Sequence, residues 1–125
     1  MVIFQKRSAR KNTGGSYKRL SVKRLHRTGS KATLTKLGAR RVQTARKMGG
    51  EDKQRLLTAN TANVYDPKAN KFVKATITTI VENPSNRNFA RRSIMTCGTV
   101  IDTSAGKAKV TNRPGQEGAI NATLI

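Results

Sequence analysis

The sequence predicts a mainly β fold: a small antiparallel β-barrel with a long basic N-terminal extension and an internal basic loop. Three observations carry this. From Leu56 to Ile125, short β-prone runs alternate with turns rich in Gly, Pro and Asn. Apolar residues make up 35% of the chain and aromatics 4%, with no Trp, which permits only a small aliphatic core. The cations are lopsided: 17 of the 26 Lys and Arg residues lie in the first 60 positions, with only Glu51 and Asp52 among them. Net charge is therefore about +15 in that part and +5 in the remaining 65 residues. The expected division is a basic extension over residues 1–31 and a β-barrel body over 32–125, the basic loop occupying about 36–55.

Within the extension, basic residues come in pairs (Lys6-Arg7, Arg10-Lys11, Lys18-Arg19, Lys23-Arg24) and Gly14-Gly15 interrupts any continuous helix. Residues 17–27 have the makings of a short helix, but Leu20, Val22 and Leu25 are too few for a buried face. Alone in water this arm is expected to be disordered, because it buries too little apolar surface to offset the entropy of ordering. In the body, residues 32–35 are β-prone, Gly38 suits a turn, residues 42–48 alternate loosely, and Gly49-Gly50 marks a turn or a close backbone approach. A strand over 57–65 ends at Asp66-Pro67-Lys68-Ala69-Asn70. Val73, Ala75, Ile77 and Val81 are assigned to one buried face of the next strand, opposite Lys74, Thr76 and Thr78. Asn83-Pro84-Ser85 stops it, and residues 86–92 suit one helical turn with Phe89 inward. Strands over 94–102, 107–112 and 119–125 follow, separated by Ser104-Ala105-Gly106 and by the turn from Pro114 to Gly118. Closure into a barrel would protect the sheet edges.

The chain lacks the groups that enzyme sites need. His26 is the sole histidine and sits within Arg24-Leu25-His26-Arg27, so it reads as one more polar contact, not a base or zinc ligand. Cys97 falls inside an expected strand and reads as a buried structural thiol. The six acids are scattered: Asp66 and Asp102 read as turn residues and Glu82 as a strand end, which argues against a metal-dependent nuclease. Neither glycine pair has phosphate-loop spacing, and the Gly-x-x-Gly from Gly115 to Gly118 reads as a hairpin turn. With five aromatics and no aromatic RNA-recognition motif, stacking of bases on a sheet is not expected. No catalytic residue, metal site or cofactor is expected, and no signal peptide, membrane span or small-molecule substrate.

What remains is charge, far beyond what solubility requires, and its natural complement is a nucleic acid. Arg grips phosphate with a planar fork that Lys cannot imitate. The candidate nucleic-acid-contacting residues in the extension are Lys6, Arg7, Arg10, Lys11, Gly14, Gly15, Lys18, Arg19, Lys23, Arg24, Arg27 and Lys31. In the basic segment they are Lys36, Arg40, Arg41, Arg46, Lys47, Gly49, Gly50, Lys53 and Arg55, and on the body Arg87, Asn88, Arg91 and Arg92. Composition also permits a DNA-compacting chromosomal protein; an RNA-processing enzyme is disfavoured by the shortage of His, Cys and clustered acids.

Five stretches, in one order, resemble the small-subunit ribosomal protein S8e family of archaea and eukaryotes. They are residues 8–15 (the basic Thr-Gly-Gly signature), 35–42, 62–67, 81–88 and 110–118, so the similarity runs from about Phe4 to Ile125. One departure is Met48-Gly49-Gly50-Glu51, where the family usually has Arg-Gly-Gly-Asn. The resemblance implies a barrel body whose basic extensions order on 16S ribosomal RNA (rRNA), beside other small-subunit proteins, in the cytoplasmic ribosome and without catalysis.

Overall fold

A computed structural model describes residues 3–4, 7–18, 25 and 28–125. The chain forms two compact units, Met1–Ala32 and Thr33–Ile125. In the first, β1 (Ile3–Phe4) pairs antiparallel with β2 (Thr28–Gly29). Between them Arg10 bridges Ser16 around a tight turn, in which the Lys11 and Gly14 amides donate to Gly15 and Lys11 carbonyls. Gly14 adopts φ +86°, which glycine accepts without steric cost. The helix expected over 17–27 falls largely outside the described residues.

The second unit is built from nine strands and one short helix. They are β3 (Thr35–Leu37), β4 (Arg41–Arg46), β5 (Asp52–Ala59), β6 (Thr61–Asp66), β7 (Lys71–Glu82), α1 (Arg87–Arg91), β8 (Ile94–Met95), β9 (Val100–Thr103), β10 (Gly106–Val110) and β11 (Asn121–Leu124). Five of them close a barrel in the order β10-β11-β6-β7-β9, and the other four form a sheet in the order β4-β5-β3-β8. The barrel is antiparallel except where β11 runs parallel to β6. Parity requires this: strands around a closed ring can alternate direction throughout only if their number is even. A five-stranded ring is also narrow. Its interior is accordingly lined with alanine from four strands (Ala62, Ala75, Ala108 and Ala122), with Val64, Ile77, Ile101 and Val110 filling the remaining space.

The structure departs from the sequence expectations at several places. The segment expected as a basic loop over 36–55 is largely extended strand, closed by a turn at 47–51 in which Gly49 and Gly50 take φ +91° and +87°. The ladder between β4 and β5 skips Leu57, and that bulge turns both Leu56 and Ala59 inward although they are three residues apart. The strand expected over 57–65 is two strands, broken at Asn60, where the chain leaves the four-stranded sheet for the barrel. In β7, Ala75 and Ile77 are buried as expected, but Val73 and Val81 are about half exposed. Irregularities at Thr78 and Val81 shift the parity, so Ile80 packs on the core instead of Val81.

The strand expected over 94–102 is likewise split into β8 and β9, in different sheets. The Thr99 hydroxyl accepts from the Thr96 amide (2.9 Å) and Gly98 takes φ +84°, so the chain turns sharply there. Cys97 consequently sits exposed on the turn, its Sγ donating to the Thr111 carbonyl at 3.2 Å, and is not a buried thiol. Asp102 lies within β9 opposite Lys107, not in a turn. Asp66 is a turn former as read, accepting from the Lys68 amide at 2.9 Å.

Buried polar side chains such as Thr35 and Asn83 are bonded, as burial demands. Thr35 donates to the Leu56 carbonyl (2.7 Å) and Asn83 to the Ile94 carbonyl (3.0 Å), tying β3 to β5 and the end of β7 to β8.

Candidate nucleic-acid interface

The four-stranded sheet gathers cations from separate stretches of sequence onto one face. Register partners share a face, and successive residues alternate. Lys36 and Arg41 both pair with Thr58, so they flank it in one row across β3, β5 and β4. Arg55, opposite Gln43, and Lys53, opposite Ala45, lie farther along the same outward face, because the intervening Leu56 points into the core. Four of the expected RNA-contacting residues are thereby brought together. Arg46 falls on the opposite parity, across from Asp52.

Local bonds orient several of these side chains. Lys53 Nζ donates to Oε1 of Gln116, and Arg40 Nη2 donates to the Gly118 carbonyl at 3.4 Å. Both contacts use the turn from Pro114 to Gly118, which is itself held by the Leu56 amide donating to the carbonyls of Pro114 (3.1 Å) and Glu117 (3.2 Å). Gly115 has no alternative there, since an added Cβ would lie 2.5 Å from the Thr33 carbonyl oxygen. Arg55 is half-buried, and its Nε has no hydrogen-bond partner among the described residues.

At the β4–β5 turn, Lys47 Nζ pairs with Glu51 at 3.2 Å. It is the sole ion pair among the described residues, and both side chains are exposed, so it contributes little to stability. Glu51 thus draws off one of the turn's cations. Met48, in the same turn, is 99% exposed.

The last group sits on α1. The Asn86 side chain caps the helix by accepting from the Asn88 amide at 2.9 Å. Arg87 and Arg91, four residues apart, stand on one side, and Arg92 follows as the C-cap. All three and Asn88 are exposed, and no acid occupies the first turn. In the first unit, the Arg7 guanidinium lies 3.8 Å above the Tyr17 ring centroid and the Lys11 ammonium at 5.8 Å, while Arg10 Nη1 donates to the Gly14 carbonyl at 3.0 Å. Lys18, Gly15 and Lys31 are exposed. Lys6, Arg19, Lys23, Arg24, His26 and Arg27 lie outside the described residues.

Exposed cations outside the expected set are Lys68, Lys71, Lys74, Lys107, Lys109 and Arg113. Lys74, Lys107 and Lys109 stand on the outer face of the barrel, while Lys71 pairs with Asp66 at the end of the inward-facing row. The signal was present in β7, where Lys74 alternates with inward Ala75. Among the described residues, no group of three His, Cys, Asp or Glu side chains is placed to hold a metal ion, and no helix is long and apolar enough to cross a membrane.

The family profile described as "Ribosomal protein S8e" matches residues 4–125. The chain is similar to "Small ribosomal subunit protein eS8" from Picrophilus torridus, at 44% identity over 125 residues covering all of both chains. It is 48% identical over 121 residues to the protein of that name from Halorubrum lacusprofundi, with 97% of each chain covered. Against the one from Sulfurisphaera tokodaii it is 45% identical over 126 residues, covering 100% of this chain and 98% of the relative.

Proposed function

The chain belongs to the ribosomal protein S8e family, and from that premise we propose that it binds and stabilises the 16S rRNA of the small subunit through phosphate contacts. Membership makes it a structural component of the ribosome, not an enzyme. Its working place is then the cytoplasmic ribosome, in contact with rRNA and with neighbouring small-subunit proteins.

The observation that carries the phosphate reading is the arrangement of Lys36, Arg41, Arg55 and Lys53 on one sheet face, with no acid within ion-pair distance among the described residues. Such a face repels itself until counter-charges arrive, and RNA phosphates supply them at high density. The residues of the extension (Arg7, Arg10, Lys11, Lys18, Lys31, and Lys6, Arg19, Lys23, Arg24 and Arg27 by sequence) extend the same chemistry. Gly14, Gly15, Gly49 and Gly50 let the backbone approach a phosphate closely. Arg40, Arg46 and Lys47 continue the track, and Arg87, Asn88, Arg91 and Arg92 add a patch on α1. RNA helices are recognised by shape, phosphate and 2′-hydroxyl, so specificity comes from fit to a folded site. The extension is proposed to order on that site, and ionic contacts offset the entropy of ordering.

The test is binding to small-subunit rRNA across a salt series. With about eight phosphates engaged, log affinity should fall by roughly six to seven per decade of salt. The protein should also co-sediment with small subunits and leave only at high salt. A flat salt dependence, or equal affinity for random duplex DNA and for 16S rRNA fragments, overturns the reading.

A further inference from the structure

The outer face of the barrel carries a pattern that the charge argument leaves unused. One row of register partners runs Lys109–Thr123–Tyr65–Phe72 across β10, β11, β6 and β7. The next runs Asn121–Asn63–Lys74 across β11, β6 and β7. Neither of these stretches contains an acid, and the first continues past Lys109 through Val100 to Glu82. Phe72 is 76% exposed, and its ring centroid lies 5.0 Å from that of Tyr65, the planes tilted by 44°. Tyr65 is held in place by its hydroxyl, which donates to Asn70 Oδ1 at 2.8 Å. Asn63 Nδ2 donates to Asn121 Oδ1 at 3.2 Å. Among the described residues this leaves an acceptor on Asn63 and a donor on Asn121.

Two clefts follow these rows. One of about 610 Å³ is lined by Tyr65, Phe72, Asn63, Asn121 and Lys74 among others, and a second of about 370 Å³ brings in Arg40 and Gly118. Asn63 and Lys74 line both, so the two make one groove, aromatic at one end and cationic at the other. Phe72 and Lys74 are two residues apart on β7, about 7 Å along the strand.

An apolar protein partner would be met by an apolar rim. Here the lining is mostly Lys, Asn and Thr around the exposed Phe72 ring, with half-buried Tyr65 and half-exposed Val73 beside it. This is the combination that single-stranded nucleic acid satisfies: a base on the ring, amides on its edge, cations on its phosphates. We propose that this groove takes an unpaired RNA segment, with one base stacked on Phe72 beside Tyr65 and the adjoining phosphates on Lys74 and Arg40. This rests on the RNA-binding reading above and adds to it a second mode, one that discriminates strandedness.

The test compares the full chain with Phe72→Ala and Phe72→Trp by fluorescence anisotropy. The probes are labelled oligoadenylate and oligouridylate of about ten nucleotides and an RNA duplex of similar length. Because Phe72 is largely exposed, the alanine variant should fold normally, which circular dichroism checks. The expected result is a roughly tenfold loss of single-strand affinity for Phe72→Ala, recovery with Phe72→Trp, and unchanged duplex binding and salt slope. Equal binding of the single strands by wild type and Phe72→Ala overturns the groove proposal and leaves the phosphate reading standing. Failure of wild type to bind the single-stranded probes overturns the groove proposal, whereas the phosphate reading fails only if wild type also shows no salt-dependent binding to small-subunit rRNA. In reconstituted small subunits, a benzophenone side chain in place of Phe72 should crosslink to RNA. A crosslink to a neighbouring protein instead would assign the face to protein docking and overturn the proposal.

Discussion

Replacing Gly115 by Ala should destabilise the body while leaving its charge untouched. The added Cβ would lie 2.5 Å from the Thr33 carbonyl oxygen and 3.3 Å from the Thr33 Cβ. Ordinary carbon–oxygen contacts begin near about 3.3 Å, so the overlap with the oxygen is about 0.8 Å. That oxygen belongs to backbone and cannot rotate away, so the turn from Pro114 to Gly118 has to move. The turn is bonded to β5 through the Leu56 amide, which donates to the carbonyls of both Pro114 and Glu117, and movement weakens those bonds. Overpacking of this kind costs about 1–3 kcal/mol, and a weakened hydrogen bond adds about 0.5–1.5. For a domain of this size each kcal/mol lowers Tm by about 4–8 °C, so a fall of about 10 °C or more is expected. Gly118→Ala is the informative contrast. Its Cβ would meet Gln54 Oε1 at the same 2.5 Å, but that atom ends a flexible side chain, and the cost should stay below about 1 kcal/mol. Thermal melts followed by circular dichroism decide the matter. Equal Tm values for wild type and Gly115→Ala would refute the packing of the turn against Thr33.

Ile101→Ala, at a fully buried barrel position, should cost about 2–5 kcal/mol by urea titration. Glu51→Gln releases Lys47 from an exposed ion pair; it should leave stability within about 0.5 kcal/mol and strengthen rRNA binding at low salt, read by filter binding. Replacing Lys36, Arg41 and Arg55 together by Ala should weaken binding across RNA sequences and lower the salt slope by roughly one for each phosphate no longer neutralised. Cys97 should react stoichiometrically with a thiol reagent in the folded protein, without denaturant.

The mainly β character, the surplus of cations, the tight turns at Gly49-Gly50 and at Pro114 to Gly118, and the helical turn after Asn86 were all legible in the sequence. Each depends on local chemistry: β-branched alternation, charge count, and residues that suit positive φ or capping. Identity of the family was legible too, because five stretches keep their order along the chain. What local chemistry does not encode is where a continuous β-prone run changes sheets. Nothing in the residues 57–65 marks Asn60 as a boundary, and residues 94–102 read as one strand although Cys97 ends up exposed on a turn. Nor does alternation survive a bulge. One extra residue near Thr78 carried Ile80 inward and left Val81 outside, a shift set by the partner strand β9 and not by β7 itself.

The candidate RNA face follows the same division. Composition and short-range pattern were enough to establish a cationic, small, β-rich chain without catalytic groups, because they belong to the chain whatever its shape. Folding was needed to bring Lys36, Arg41, Arg55 and Lys53 onto one face, and to set Tyr65 against Phe72 beside Lys74. Those neighbours are produced by strand register, and register is chosen by the core packing of the whole sheet, which no single segment contains.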